Sequence, residues 1–369
     1  MTASALACEP MRAPAAALAD EVRALRTRAV IAAGDHLACV RVRGPGAHDL
    51  VDRVSPRELF VRSGQLLHTL LLDDAALPIA DVYIGCDDDD YLIIAEGMTG
   101  RAVADTLAAH AAGLDVAIED TSQSHGFLCL GGPYAWEVLA ELTSPEVIGL
   151  PYLGFFHERA ERTGLEMTCF RAGKTGEYGY DLWIPRDRLA RVRDRLAEVG
   201  RAFDLADISR DALEVAALEN WFWNPRRDVR PGLTPIELQL QWRVTYGRAF
   251  PGSDALAARR KTARQRVVLA ASPAELTDDA PITAGDRTVG AVLHAAWSPI
   301  VERWLAMALL DRPIAHAGLA GLFAHTPAGA APLCTLSAPA LTNRSLFVDP
   351  QRHSYATRDG EAFPPLVRP

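Results

Sequence analysis

The stretch Gly173-Lys174-Thr175-Gly176-Glu177-Tyr178-Gly179-Tyr180-Asp181 decides how this chain is read. Glycine adopts left-handed backbone at little cost, so Gly173 and Gly176 mark a turn. Residues 167–171 before it and 180–184 after it carry strand-forming residues, and 186–199 carry apolar residues at helical spacing. The unit is strand, glycine-rich turn, strand, helix, and the turn holds a lysine and two carboxylates.

The same reading extends in both directions. Upstream, 15–33 reads as a helix, 37–42 as a strand and 47–54 as a helix. Residues 66–72, 79–85 and 91–95 read as strands, the last two joined by a solvated aspartate-rich tip at 86–90. A helix over 100–112, strands over 114–119 and 126–130, and a helix over 134–142 follow. Downstream, a helix over 211–222 leads into an arginine- and proline-rich loop, 224–234. The basic run at 255–266 lacks interleaved aromatics and reads as an inter-domain helix or linker. From Val267 onward, short strands with turn signals have the pattern of a small barrel or sandwich. Strands and helices cluster instead of alternating, which points to an α+β chain and away from a doubly wound parallel sheet.

The 369 residues are 49% hydrophobic and 23% charged, enough apolar material for packed cores and too little charge bias for disorder. A net charge of -9 disfavours nucleic acid and anionic lipid as partners. The six cysteines form no C-x-x-C pair, so neither a structural zinc site nor a disulfide framework is expected. Leu6-Ala7-Cys8 has too short a preceding stretch for a lipoprotein signal and reads as a frayed terminus, and no run is apolar enough to span a membrane. A cytoplasmic location, no metal and no nucleotide cofactor are expected. G-x-G-x-x-G after a strand, the Walker loop, G-x-S-x-G and H-E-x-x-H are all missing.

Several spaced features remain: His36 to Gly44, Ile79-Ala80-Asp81-Val82-Tyr83-Ile84, Gly131-Gly132-Pro133, the 173–181 stretch, Pro235-Ile236-Glu237 with Trp242, Phe250-Pro251-Gly252, Gly290-Ala291-Val292 through Ser298-Pro299, and Phe347-Val348-Asp349-Pro350. In this order they resemble the family of the glycine-cleavage T-protein, the folate-dependent aminomethyltransferase, whose relatives include folate-dependent demethylases. Thr175 to Asp181 is similar to the family's T-G-E-x-G-F/Y-E, and His36 falls at the histidine of its S-H-M segment. The resemblance implies a three-lobed fold with an antiparallel Greek-key domain, a ferredoxin-like domain and a C-terminal β-barrel. The corresponding spans are 15–125, 126–255 and 256–369, around a channel that binds tetrahydrofolate.

By the same resemblance, Glu177 grips the pterin edge, with Tyr178, Arg210 and Glu96 as further cofactor contacts. The family's catalytic carboxylate falls on Ala80 in an ungapped reading, and alternation then turns Asp81 away from the pocket unless a slip or bulge intervenes. Asp81, Tyr83 and Lys174 are the catalytic candidates. Lys174 stands where the family has tyrosine and Ala95 where it has asparagine. Lys174 binds an anionic substrate or acts as a base if desolvated, unless it is solvated on its turn. Trp221, Trp223, His294 and His36 are assigned to the substrate channel, with core packing as the other reading of the tryptophans and a surface position as that of His294. The resulting expectation is a one-carbon or methyl transferase acting on a non-glycine small molecule. A folate-independent enzyme on the same scaffold and a non-catalytic folate-binding protein are the alternatives. A carrier-protein partner is compatible with the resemblance, although no residue indicates one.

Overall fold

The chain alternates between building two facing sheets before it closes a separate barrel. The computed structural model describes residues 15–143, 145–159, 164–342, 354–357 and 366–367. Cys8 and the 347–350 motif lie outside them. In chain order the elements are α1 (Ala15–Thr27), β1 (Val30–Ala33), β2 (Leu37–Arg43), α2 (Ala47–Val54), β3 (Gln65–Leu72), β4 (Pro78–Asp87), β5 (Asp90–Glu96), α3 (Gly100–Ala109), β6 (Ala117–Asp120), β7 (His125–Gly131), α4 (Ala135–Leu142), β8 (Phe155–Glu158), β9 (Met167–Phe170), β10 (Gly179–Pro185), α5 (Arg186–Gly200), β11 (Ala206–Asp207), α6 (Arg210–Glu219) and α7 (Ser253–Thr262). The barrel strands are β12 (Gln265–Ser272), β13 (Pro281–Ala284), β14 (Arg287–Ser298), β15 (Arg303–Asp311), β16 (Leu322–Thr326) and β17 (Gly329–Leu336).

The first sheet is antiparallel in the order β3-β4-β5-β2-β6, and the second runs β11-β1-β7-β10-β9-β8 with only β1 and β11 parallel. The closed barrel has the order β12-β15-β14-β13-β16-β17. This is the expected α+β architecture with a C-terminal barrel. The helix expected over 15–33 stops at Thr27, because Val30 to Ala33 supply β-branched and small residues to the second sheet, paired with β7 and β11. Similarly, the helix expected to reach 222 ends at Glu219, and Trp221 takes φ 64°, a left-handed turn that halts it.

Each strand of the first sheet divides its side chains between two cores, as a period of two requires. Val40, Val82, Ile84, Ile93 and Ala95 pack beneath Leu50 and Val51 of α2 and Val103 and Leu107 of α3. The opposite face carries Cys39, Leu66, Tyr83, Leu92 and Ile94, which meet Phe127, Phe170 and Trp183 of the second sheet. The other side of the second sheet buries Leu128, Leu130, Tyr180 and Leu182 against α4 and α5. A third core joins α1 and α6 to Leu269, Leu305 and Met307 of the barrel. The seam between the two sheets is therefore apolar along most of its length and turns polar at one end, where the candidate site lies.

Candidate active site

At that polar end lies an open pocket of about 840 Å³, counted out to its mouth. β4 and β5 contribute Asp81, Tyr83, Ile94 and Glu96 to it, and the 172–179 turn and β10 contribute Lys174, Thr175 and Asp181. Arg210, Leu213, Glu214 and Ala217 of α6, with Trp223, Asn224 and His36, complete the wall.

Asp81 points into this pocket and Ala80 does not, which corrects the ungapped expectation. Leu71 pairs with Ala80, but Leu72 pairs with Pro78, so Ile79 is an extra residue in β4. Beyond this bulge Ala80, Val82 and Ile84 supply the apolar face beneath α2 and α3. Asp81 and Tyr83 consequently share the opposite face. The same alternation buries Ala95 in that helical core and turns Glu96 toward the pocket.

Asp81 is 3% exposed and is held from three sides. Its Oδ1 is 2.7 Å from His68 Nε2 and accepts from Arg243 Nη1 at 2.6 Å, and its Oδ2 is 2.6 Å from Lys174 Nζ. Burial pushes the carboxyl pKa upward, but Arg243, Lys174 and His68 outweigh it and hold Asp81 well below the usual carboxylate range. His68 is driven to about 4, by burial first and then by Arg243, so it is neutral near pH 7. Donation by its Nε2–H to the ionised Asp81 follows. Lys174 also reaches Glu96, and its side chain is only 14% exposed. Burial disfavours its charge, yet Asp81 and Glu96 raise its pKa, so it stays an ammonium and cannot serve as the base. The solvated-turn alternative is likewise excluded.

Asp181 was missed by the sequence reading. It faces Cys129 across the β10–β7 pair and hydrogen-bonds to that thiol. Burial, with Glu96 adding to it, pushes Asp181 to about 6 against the opposing Cys129 hydrogen bond and Lys174. The other pocket carboxylates each have a cation: Asp81 and Glu96 share Lys174, and Glu214 pairs with Arg226 and Arg210. No ion pair among the described residues involves Asp181. His68 and Arg243 were missed too, because only tertiary folding brings β3 and the 241–243 turn to Asp81.

Several expected site residues lie elsewhere. Glu177 turns inward and pairs with Arg26 at 3.0 Å, and both side chains are 1% exposed. Arg26 also pairs with Glu219 at 2.6 Å and donates to the Thr175 carbonyl at 2.5 Å. Glu177 is thus part of a buried ionic hub under the turn, not of the pocket wall. Tyr178 packs in the core beneath the second sheet, with Arg171 over its ring. Trp221 packs against the barrel-side core outside the wall. His294 is buried against Asp228, whose other oxygen accepts from the Asn224 amide, so it clamps the 224–234 loop to the barrel. Trp223, Arg210, Glu96 and His36 do line the pocket. Buried Trp223 Nε1 and His36 Nδ1 have no hydrogen-bond partner among the described residues.

The family model described as the GCVT N-terminal domain matches residues 9–248. An aminomethyltransferase of Mycobacterium leprae is 30% identical over 288 residues, covering 75% of this chain and 76% of that protein. One from Streptomyces coelicolor is 26% identical over 313 residues, covering 82% and 84%. In fold, the crystal structure of the glycine cleavage system aminomethyltransferase T from Bartonella henselae superposes with a TM-score of 0.77 at 20% identity, covering 90% of both chains. With the two facing sheets, the barrel and the pocket between them, these matches show that the chain belongs to the GCVT family, within the aminomethyltransferase superfamily.

Proposed function

We propose that this protein is a tetrahydrofolate-dependent one-carbon transferase whose reacting centre is Asp81 and whose substrate is a small molecule other than the glycine-derived aminomethyl group. The carrying observation is that Asp81 faces the pocket as a buried, ionised carboxylate fixed by His68, Arg243 and Lys174.

The pocket suits a folate head group. A pterin is flat and offers ring N–H and amino donors on one edge with acceptors elsewhere. Leu37, Ile94, Leu130 and Leu213 provide apolar walls, Asp181 provides a carboxylate without a competing cation, and Trp223 provides a buried N–H in search of an acceptor. Asp181 thereby takes the pterin-gripping role that the resemblance assigned to Glu177. When bound, tetrahydrofolate supplies nitrogen atoms that carry the one-carbon unit. Asp81 orients the reacting group, and Tyr83 and Ile94 form the wall beside it. The change of substrate is supported by Lys174 and Ala95, which stand where the family's pattern has tyrosine and asparagine.

Titration with tetrahydrofolate, followed by tryptophan fluorescence, tests the reading. Saturable binding that Asp181→Asn weakens at least tenfold is expected. A folded protein that binds none at high micromolar concentration overturns it and leaves a folate-independent reaction on this scaffold.

A further inference from the structure

Asp81 and Glu96 are direct cross-strand partners on β4 and β5. Like charges in that position repel. The compensating cation comes from the other sheet: the Lys174 ammonium, carried on the 172–179 turn, ion-pairs with both carboxylates. Two carboxylates about one ammonium form a seat that a protonated amine substrate would also fit. The chain's own lysine already fills it, and a tethered group outcompetes a free one because its translational freedom is already lost. Counting Arg243 on Asp81, the cluster carries two positive and two negative charges. It therefore attracts neither an ammonium nor a carboxylate.

We infer that Lys174 is a built-in occupant of a two-carboxylate ammonium seat, so that the substrate meets Asp81 through an uncharged hydrogen-bond donor and protonated amines are excluded. This rests on the reading of Asp81 as the reacting centre, although the seat itself does not depend on folate. Lys174 is then the residue that separates this pocket from one built for amines.

Propylammonium reproduces the lysine side chain beyond Cβ and is the probe. Calorimetric titration should show no saturable binding to the wild type, at least tenfold tighter binding to Lys174→Ala, and loss of that binding in Lys174→Ala/Glu96→Gln, with sodium chloride as the ionic control. Should Lys174→Ala fold only when propylammonium is added, the inference is equally supported. Saturable binding to the wild type overturns it without recourse to any variant. So does a folded Lys174→Ala that binds no propylammonium, or an unfolded one that the amine does not restore. Parallel tetrahydrofolate titrations separate the two readings: loss of folate binding with the amine result intact removes the cofactor assignment and leaves the seat.

Discussion

Lys174 lies between Asp81 and Glu96, joining the turn of one sheet to two carboxylates that face each other on the other sheet. The pocket is thus closed at its floor by an ionic contact between its two halves, and its chemistry depends on which charges remain unspent.

Asp81→Asn should cut one-carbon transfer about 100-fold or more, since a preorganised charge next to the reacting group is worth several kcal/mol. The tetrahydrofolate Kd should move less than about threefold. Single-turnover kinetics alongside binding titrations make this check, and a parallel loss of binding would reassign Asp81 to the cofactor.

Acid stability should expose Asp181 and His68 as opposing groups. The folded pKa of Asp181 is raised to about 6, so its contribution to stability is full below the unfolded value near 4 and is lost as pH rises through 6. That of His68 is depressed to about 4, so its contribution is full above about 6.5 and is lost as pH falls toward 4. Each effect is about 3 kcal/mol in size, and they offset in the wild type. Denaturant melts between pH 4 and 6.5 should show Asp181→Asn losing stability on acidification and His68→Gln gaining it. Flat profiles for both variants would refute the assignment.

Glu177→Ala leaves Arg26 with one of its two carboxylate partners, and breaking such a buried pair costs about 3–5 kcal/mol. Chemical denaturation should record that loss, while folate affinity of the folded fraction stays within about threefold. A stable variant that no longer binds folate would restore Glu177 to the pterin.

Trp223→Phe removes the indole N–H together with three ring atoms of a side chain that is 3% exposed. Loss of a buried donor that has no hydrogen-bond partner among the described residues offsets part of the cavity cost, so the folded protein should lose no more than about 2 kcal/mol. Tetrahydrofolate binding should weaken by roughly three- to tenfold, the worth of one hydrogen bond. Unchanged affinity in a calorimetric titration would mean that the indole is packing alone.

Local patterns carried much of the architecture. The alternation in 79–85 and 91–95, the helical spacing of 186–199 and the turn-punctuated strands after Val267 are short-range signals, and they specify sheets, helix and barrel with boundaries off by a few residues. Glu96, Lys174, His36 and Trp223 were found because motif position and residue type coincide with the pocket wall. Beyond the bulge at Ile79, Asp81 shares its face of β4 with Tyr83. Which of the two faces meets the pocket follows from Ala80, Val82 and Ile84 packing beneath α2 and α3. Glu177 stands in an unmistakable turn motif, yet Arg26, 151 residues away, claims it. His68, Arg243 and Asp181 acquire their roles only when β3, the 241–243 turn and β10 converge. The amino-acid order thus determined the α+β architecture, the barrel and the family, since those follow from local spacing. Which carboxylates are neutralised and which stay available was settled by long-range folding, because a charge's partner is a matter of distance in space and not of position along the chain.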